Sequence, residues 1–391
     1  MLDRKLWRDL GHLKGQVVTI SLVVAAGLAG LVGMYSTLRS LDVAAEEYYQ
    51  RYRFADIFAH VERAPESVGG RVESIAGVRR VYTRIVEPVR LPLPWMEEPA
   101  NGRIVSLPDE GRPPLNDIFL RRGRMPEPGR HDEVLVLESF ATAHGLVPGE
   151  TLPVVVGGTL RDLRIVGIAL SPEFLFLVTG REIVPDEKRS TVLWMRREGV
   201  AAAFGMEGAF NDVVLSTQPG ASEPAVIDEV DRLLDPYGGP GASGRDRHPS
   251  HLFLTQERLQ LRGTGVAIPL AFLAIAAFLL NVVLGRIVQL QRGQIATLKA
   301  VGYADRAIGM HFFKIVLVVL AMGTILGAAL GAWMGQAMTN QYSQFFSFPN
   351  FPFRFDLRVA VVGTLVSLVA GGAGAMSTVY RVMNLPPAEA M

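Results

Sequence analysis

Two stretches of this 391-residue chain carry residue types and spacings that do chemistry in other proteins. Gly239, Gly241 and Gly244 match G-x-G-x-x-G, the spacing that lets backbone approach a pyrophosphate when it joins a strand to a helix. Here the glycines follow a helical pattern and no βαβ unit surrounds them, so the stretch from Tyr237 to Ser250 reads as a flexible Gly/Pro loop. His248 and His251 stand in H-P-S-H within and beside that loop. A metal site needs further ligands, and the sequence points to none, so these histidines read as solvated. No G-x-x-x-x-G-K-[ST] is present, and none of the lysines follows a glycine. The chain therefore has no Walker-type nucleotide site. H-E-x-x-H and G-x-S-x-G are also missing, and an ordinary hydrolase has no foothold. The absence of cysteine excludes disulfides, thiolate metal sites and cysteine nucleophiles. A net charge of +1 gives no electrostatic reason to expect nucleic acid. The chain reads as non-catalytic and free of cofactors.

The elements that must be positioned are mostly apolar. Hydrophobic residues make up 49% of the chain and charged residues 20%, a mixture that suits a few membrane helices plus an aqueous domain. Four runs are long enough to span a bilayer core, which takes about 20 residues: 16–38, 266–284, 315–334 and 359–378. None contains Asp, Glu, Lys or Arg. Ion-coupled carriers usually keep such groups inside the membrane, so a secondary transporter is disfavoured. The first run is longer than a signal-peptide core and reads as an uncleaved anchor. Basic residues cluster before the first run and between the second and third, which places both termini and that loop in the cytoplasm. Residues 1–15 read as an amphipathic helix on the cytoplasmic membrane surface, with Leu2, Leu6, Leu10 and Leu13 opposite Arg4, Arg8 and Asp9.

The segment 39–265 reads as an α+β extracytoplasmic domain. Helical periodicity marks Arg39–Arg53, Pro65–Ile75 and Pro224–Leu234. Short β-rich runs lie at 54–61, 78–86, 133–137, 152–156, 163–168, 191–195 and 212–216. The fold class is thus an α-helical membrane protein with a large α+β insert between its first two spans. Gly323, Gly327, Gly331 and Gly335 recur every fourth residue on the third span, which puts a close-packing seam on one helical face. Tyr342 and the phenylalanines at 345, 346, 348, 351, 353 and 355 suit the bilayer–water boundary and contact with membrane lipids.

The stretch Arg286–His311 is the most specific. Apolar Ile295, Leu298, Ala300 and Val301 alternate with Gln291, Arg292, Gln294 and Lys299, and Gly302 then ends a short helix. R-x-Q-I-A-T-L-K-A-V-G-Y at Arg292–Tyr303 resembles the signature of FtsX-like permeases, the group that includes MacB-type and LolC/LolE-type ABC transporter subunits. The order of span, large insert and three further spans is similar too, as are the closing LPPAEAM at Leu385–Met391 and stretches of the insert such as LRRG at Leu120–Gly123. Gln294 stands where many members carry Glu, so a charged contact there is not carried over.

That resemblance implies an insert like the MacB periplasmic core at 39–265 and an FtsX-like permease domain at 266–391. It also implies a bacterial inner-membrane protein that works by mechanotransmission. A cytoplasmic ABC ATPase dimer would dock on the helix containing Arg292, Gln294, Ile295, Leu298, Lys299 and Gly302, with Leu298 and Gly302 the most sensitive positions. A second permease half, as homodimer or pseudo-dimer, and a periplasmic adaptor are the other partners implied. The cargo would be a lipid, lipoprotein, peptide or hydrophobic compound. The alternative is an FtsX-like regulator that activates a cell-wall hydrolase outside.

Overall fold

The computed structural model describes residues 2–177 and 186–383, so the closing LPPAEAM motif lies outside the described residues. The chain divides into two compact units. One holds the residues up to Asp42, Arg258–Tyr342 and those from Pro352 onward; the other holds Val43–Glu257 and Ser343–Phe351.

The first unit is helical. Helix α1 is Leu2–His12 and α2 is Lys14–Arg51, whose C-terminal turns belong to the second unit. Among the described residues, four helices are long and apolar enough to cross a membrane: α2 and three helices that follow the insert. These three are numbered below after the insert's own helices. At about 1.5 Å per residue, the three helices of 38 to 42 residues run well past a core about 30 Å thick, while the fourth, with a 20-residue span, about matches it. That excess explains why the apolar runs in the sequence are shorter than the helices containing them.

The second unit is mixed α/β. Its elements are β1 (Ile57–Pro65), α3 (Ser67–Glu73), β2 (Val78–Arg84), β3 (Val86–Leu91), β4 (Ala100–Leu107), β5 (Phe119–Gly123) and β6 (Glu133–Leu137). They continue with α4 (Glu138–His144), β7 (Thr151–Val156), β8 (Thr159–Leu170), β9 (Ser190–Arg196), α5 (Arg197–Phe204), β10 (Ala209–Thr217), α6 (Glu223–Leu234) and β11 (Ser243–Gly244). A four-stranded sheet has the order β11-β1-β10-β2, and α3 and α6 bury Val68, Val72, Val226 and Val230 with its apolar residues. A seven-stranded sheet has the order β5-β8-β6-β9-β4-β3-β7. It closes on itself because β7 also pairs with the first half of the twelve-residue β8. Closure removes two free edges and encloses a dry core that includes Leu91, Ile104, Val136, Val154, Ile165 and Met195. The β4–β9 and β6–β8 pairs are parallel, so distant chain segments must meet before they form.

The remaining helices are α7 (Pro249–Leu290), α8 (Arg292–Ala300), α9 (Asp305–Phe345) and α10 (Leu357–Met383). The Asp356 side chain accepts bonds from the Arg358 and Val359 amides at 2.9 and 3.3 Å and caps α10.

The structure corrects three sequence readings. The stretch 237–250 is not a flexible loop: β11 pairs with β1, and Ser250 is buried with its hydroxyl donating to the Glu173 carbonyl at 2.8 Å. His248 is half-buried against the rings of Phe54 and Phe58. The aromatics between α9 and α10 do not all lie at a bilayer boundary. Phe346 and Phe348 are buried in the second unit, where Phe346 lies 5.9 Å from Phe253 and Phe348 lies 6.1 Å from Tyr48. Arg121 holds that segment through the Pro349 carbonyl at 2.9 Å. Asp9, placed by the sequence on a solvated helix face, is buried together with Leu10.

Candidate functional site

The short helix α8 sits between two of the membrane-spanning helices, and its ends are set by backbone chemistry. Gln291, at φ −99° and ψ 14°, breaks α7 from α8. At the other end Gly302 has φ +96°, while its amide donates to the Lys299 carbonyl and the Tyr303 amide to the Leu298 carbonyl, each at 3.0 Å. A residue with a Cβ is strained at that φ, which is why Gly closes this helix.

The six residues singled out from the sequence do not share one face. Ile295 is 2% exposed and packs with Ile308, Phe312, Ile287 and Val288 in the core of the first unit, and Leu298 is partly buried against the same cluster. The Lys299 side chain is buried and its ammonium lies 2.8 Å from Asp305, tying α8 to the first turn of α9. Arg292, Gln294 and Gly302 are exposed. The outward surface therefore consists of Arg292, Gln294 and Thr297, flanked by two large apolar residues. Leu290 is 77% exposed and Val301 is 73% exposed. Gln294 and Thr297 share one face of α8, while Leu290 is the last residue of α7 and Val301 follows the last residue of α8. The sequence reading puts the apolar part of an ATPase contact on Ile295 and Leu298; the structure packs these two into the chain's own core and leaves Leu290 and Val301 exposed.

The glycines of α9 lie along α2. A Cβ on Gly323 would stand 2.7 Å from the Val24 Cβ; one on Gly327 would be 2.9 Å from the Ala25 carbonyl; and one on Gly331 would be 2.7 Å from the Val32 Cβ. Gly335 faces Phe353 and the Gly33 carbonyl. Polar groups join the same pair of helices: the Ser21 hydroxyl donates to the Val319 carbonyl at 3.0 Å. On α10, Gly363 abuts Leu28 and Leu31, Gly371 abuts Leu320, and Gly374 abuts the Ala277 carbonyl. These contacts were not read from the sequence, because the glycines of α10 follow no single period.

In the second unit a buried charge cluster joins residues far apart in the chain. The Arg84 guanidinium lies 2.5 Å from Glu173 and 2.6 Å from Asp212, and the Asn116 amide donates to Glu173 at 2.8 Å. Burial alone would raise the Glu173 carboxyl, but the charge and hydrogen bonds of Arg84 more than reverse it and hold it low. One guanidinium thus serves two carboxylates, and burial, helped by the Glu173 charge and opposed by Arg84, raises the Asp212 carboxyl; the cluster ties together β2, β10 and the turn at Pro172–Phe174. Burial, opposed by Glu173, lowers His248 to about 4. An unfolded histidine takes a proton near pH 6.5, so the folded state lags as pH falls. His248 should therefore cost stability progressively between pH 6.5 and about 4, with a slope approaching about 1.4 kcal/mol per pH unit. The urea midpoint of the detergent-solubilised chain, read from buried Trp194, should fall between pH 7 and pH 5. In His248→Gln that fall should shrink; an undiminished fall would remove His248 from the account.

Among the described residues, no group of three or more His, Asp or Glu is placed to hold a metal ion.

Residues 266–387 match the family model of the FtsX-like permease C-terminal domain, a segment that contains α8 and the glycine face of α9. The chain matches no curated protein sequence. Among solved structures, the extracellular domain of the noncanonic ABC-type transporter YknZ from Gram-positive bacteria is 12% identical, with TM-score 0.31, covering 49% of this chain and 98% of that one. The periplasmic region of MacB from Actinobacillus actinomycetemcomitans is 11% identical, with TM-score 0.32, covering 54% of this chain and 96% of that one. Likenesses this distant carry no functional argument.

Proposed function

Because residues 266–387 match the FtsX-like permease C-terminal family model, we propose that this chain is the membrane subunit of an ABC transporter of the mechanotransmission type. A separate cytoplasmic ATPase pair supplies the energy, since the chain itself has no phosphate loop. The observation that carries the reading is α8, which lies inside the matched segment and has a polar outer side flanked by exposed Leu290 and Val301. Exposed apolar side chains flanking a short helix suit a hydrophobic groove in a partner protein.

Movement received at α8 passes into α7 and α9, to which it is joined by Gln291 and by the Lys299–Asp305 pair. The unit of sheets shares chain with α2, α7 and α9, so it receives that movement through three helices, and it acts on cargo or on an adaptor outside. A second permease half covers part of the exposed apolar surface of α7, α9 and α10, which includes Phe278, Ile325, Trp333 and Val369; lipid covers the rest. The protein sits in a bacterial plasma membrane with both termini and α8 in the cytoplasm.

Single cysteines placed in this cysteine-free chain test the orientation. Exposed positions 207 and 344 should react with an impermeant thiol reagent in intact cells, and exposed position 294 should react only after permeabilisation. Labelling of position 294 in intact cells would invert the topology and remove α8 from the reach of any ATPase.

A further inference from the structure

We propose that α1 is a clamp that fixes the position of α8, with Asp9 and Lys5 as its positioning residues, a role that rests on reading α8 as the coupling helix. Four polar side chains from separate places in the chain meet at its inner face. The Lys5 ammonium lies 2.5 Å from Asp9, one helical turn away. His311 Nε2 lies 3.1 Å from the same Asp9 oxygen, and both side chains are buried. Lys5 also donates to the Gln291 side chain at 3.0 Å. Gln291 is the break between α7 and α8, and His311 stands in the second turn of α9. One carboxylate thus gathers α1, the entry to α8 and the beginning of α9.

A helix resting only on lipid headgroups would keep Asp9 and Lys5 in water. Here Asp9 is 6% exposed, and Leu10 joins Ile295, Ile308 and Phe312 in one core. Burial raises the Asp9 carboxyl, yet the bonds from Lys5 and His311 leave it below its ordinary range. A buried carboxylate is tolerated when its partners stay in place, so the cluster holds only while α1, the α7–α8 break and α9 keep their spacing. Without it, α8 could pivot at Gln291 and yield to a push instead of passing it on.

The test uses the full chain reconstituted with its ATPase, and spin labels attached by azide–alkyne coupling to azide-bearing amino acids at exposed positions 11 and 294, which leaves thiol chemistry free for crosslinking. Pulsed electron resonance should give a narrow distance distribution for the parent chain and a broad one for Asp9→Asn. The same substitution should lower maximal stimulated ATP turnover about fivefold or more while leaving the KM for ATP unchanged. A short bis-maleimide linking Lys5→Cys to Gln291→Cys in the Asp9→Asn background should restore both the narrow distribution and the turnover. An unchanged distribution in Asp9→Asn overturns the clamp. A broadened distribution with undiminished turnover, or a link that narrows distances without restoring turnover, overturns its positioning role. If the parent chain stimulates no ATPase, the coupling reading fails instead, and the distance measurement alone decides whether α1 holds α8.

Discussion

Gly327→Leu and Gly331→Leu should each separate α9 from α2 and abolish transport-linked activity, whereas Ala329→Leu should be nearly silent. A Cβ at 327 already meets the Ala25 carbonyl at 2.9 Å, and one at 331 meets the Val32 Cβ at 2.7 Å, distances that no rotamer of leucine can relieve. Either the helices move apart or the backbone bends, at a cost of about 1–3 kcal/mol or more for overpacking. Separation would also break the Ser21–Val319 bond between the helices, and such interhelical hydrogen bonds contribute about 0.6 kcal/mol on average. Ala329 is exposed on the opposite side of α9. The check is thermal stability in detergent together with yield of the assembled complex. Equal losses at 327, 331 and 329 would mean that α9 has no special face.

The second large effect concerns the outward surface of α8. Val301→Asp should weaken ATPase binding by about 2 kcal/mol, roughly 30-fold, as expected when an apolar anchor is replaced by a charge that must be desolvated. Leu290→Asp should act in the same direction. Neither residue packs inside the chain, since both are more than 70% exposed, so stability in detergent should hold. Ile295→Asp should behave differently. It puts an unpaired charge in the core shared with Ile308 and Phe312, a cost of several kcal/mol, and should reduce the amount of folded protein. Titrating the ATPase against immobilised variants separates the cases. If Val301→Asp bound normally and Ile295→Asp folded normally, the two faces of α8 would have been assigned the wrong way round.

The contrast between these faces shows what could be read from residue pattern alone. Gly302 was legible as a helix stop because a single backbone angle demands glycine, and its φ is +96°. β6 was legible to the residue, since EVLVL is a wholly buried apolar run next to a helix. The orientation of α8 was not legible. A nine-residue helix with Ile295 and Leu298 on one side, and with Leu290 and Val301 just beyond its two ends, offers two sets of apolar side chains. Periodicity does not say which of them meets the chain's own core. β3 and β4 were missed because the Pro-rich segment between them resembles a loop, and β4 depends on its parallel pairing with β9, about 90 residues away. The triad of Arg84, Glu173 and Asp212 has no sequence signal; it exists only once the strands and the turn are assembled. Phe346 and Phe348 have the composition of an interfacial belt and the location of a core.

An ATPase docked on the outward side of α8 should be captured by a photo-crosslinking amino acid at the exposed position 301. In membranes of the native host, irradiation should join the chain to one protein, identified by mass spectrometry as carrying a phosphate loop. The same probe at exposed position 329 of α9 should give no such product. Absence of a phosphate-loop protein from the 301 product, or its equal appearance at 329, would contradict the account.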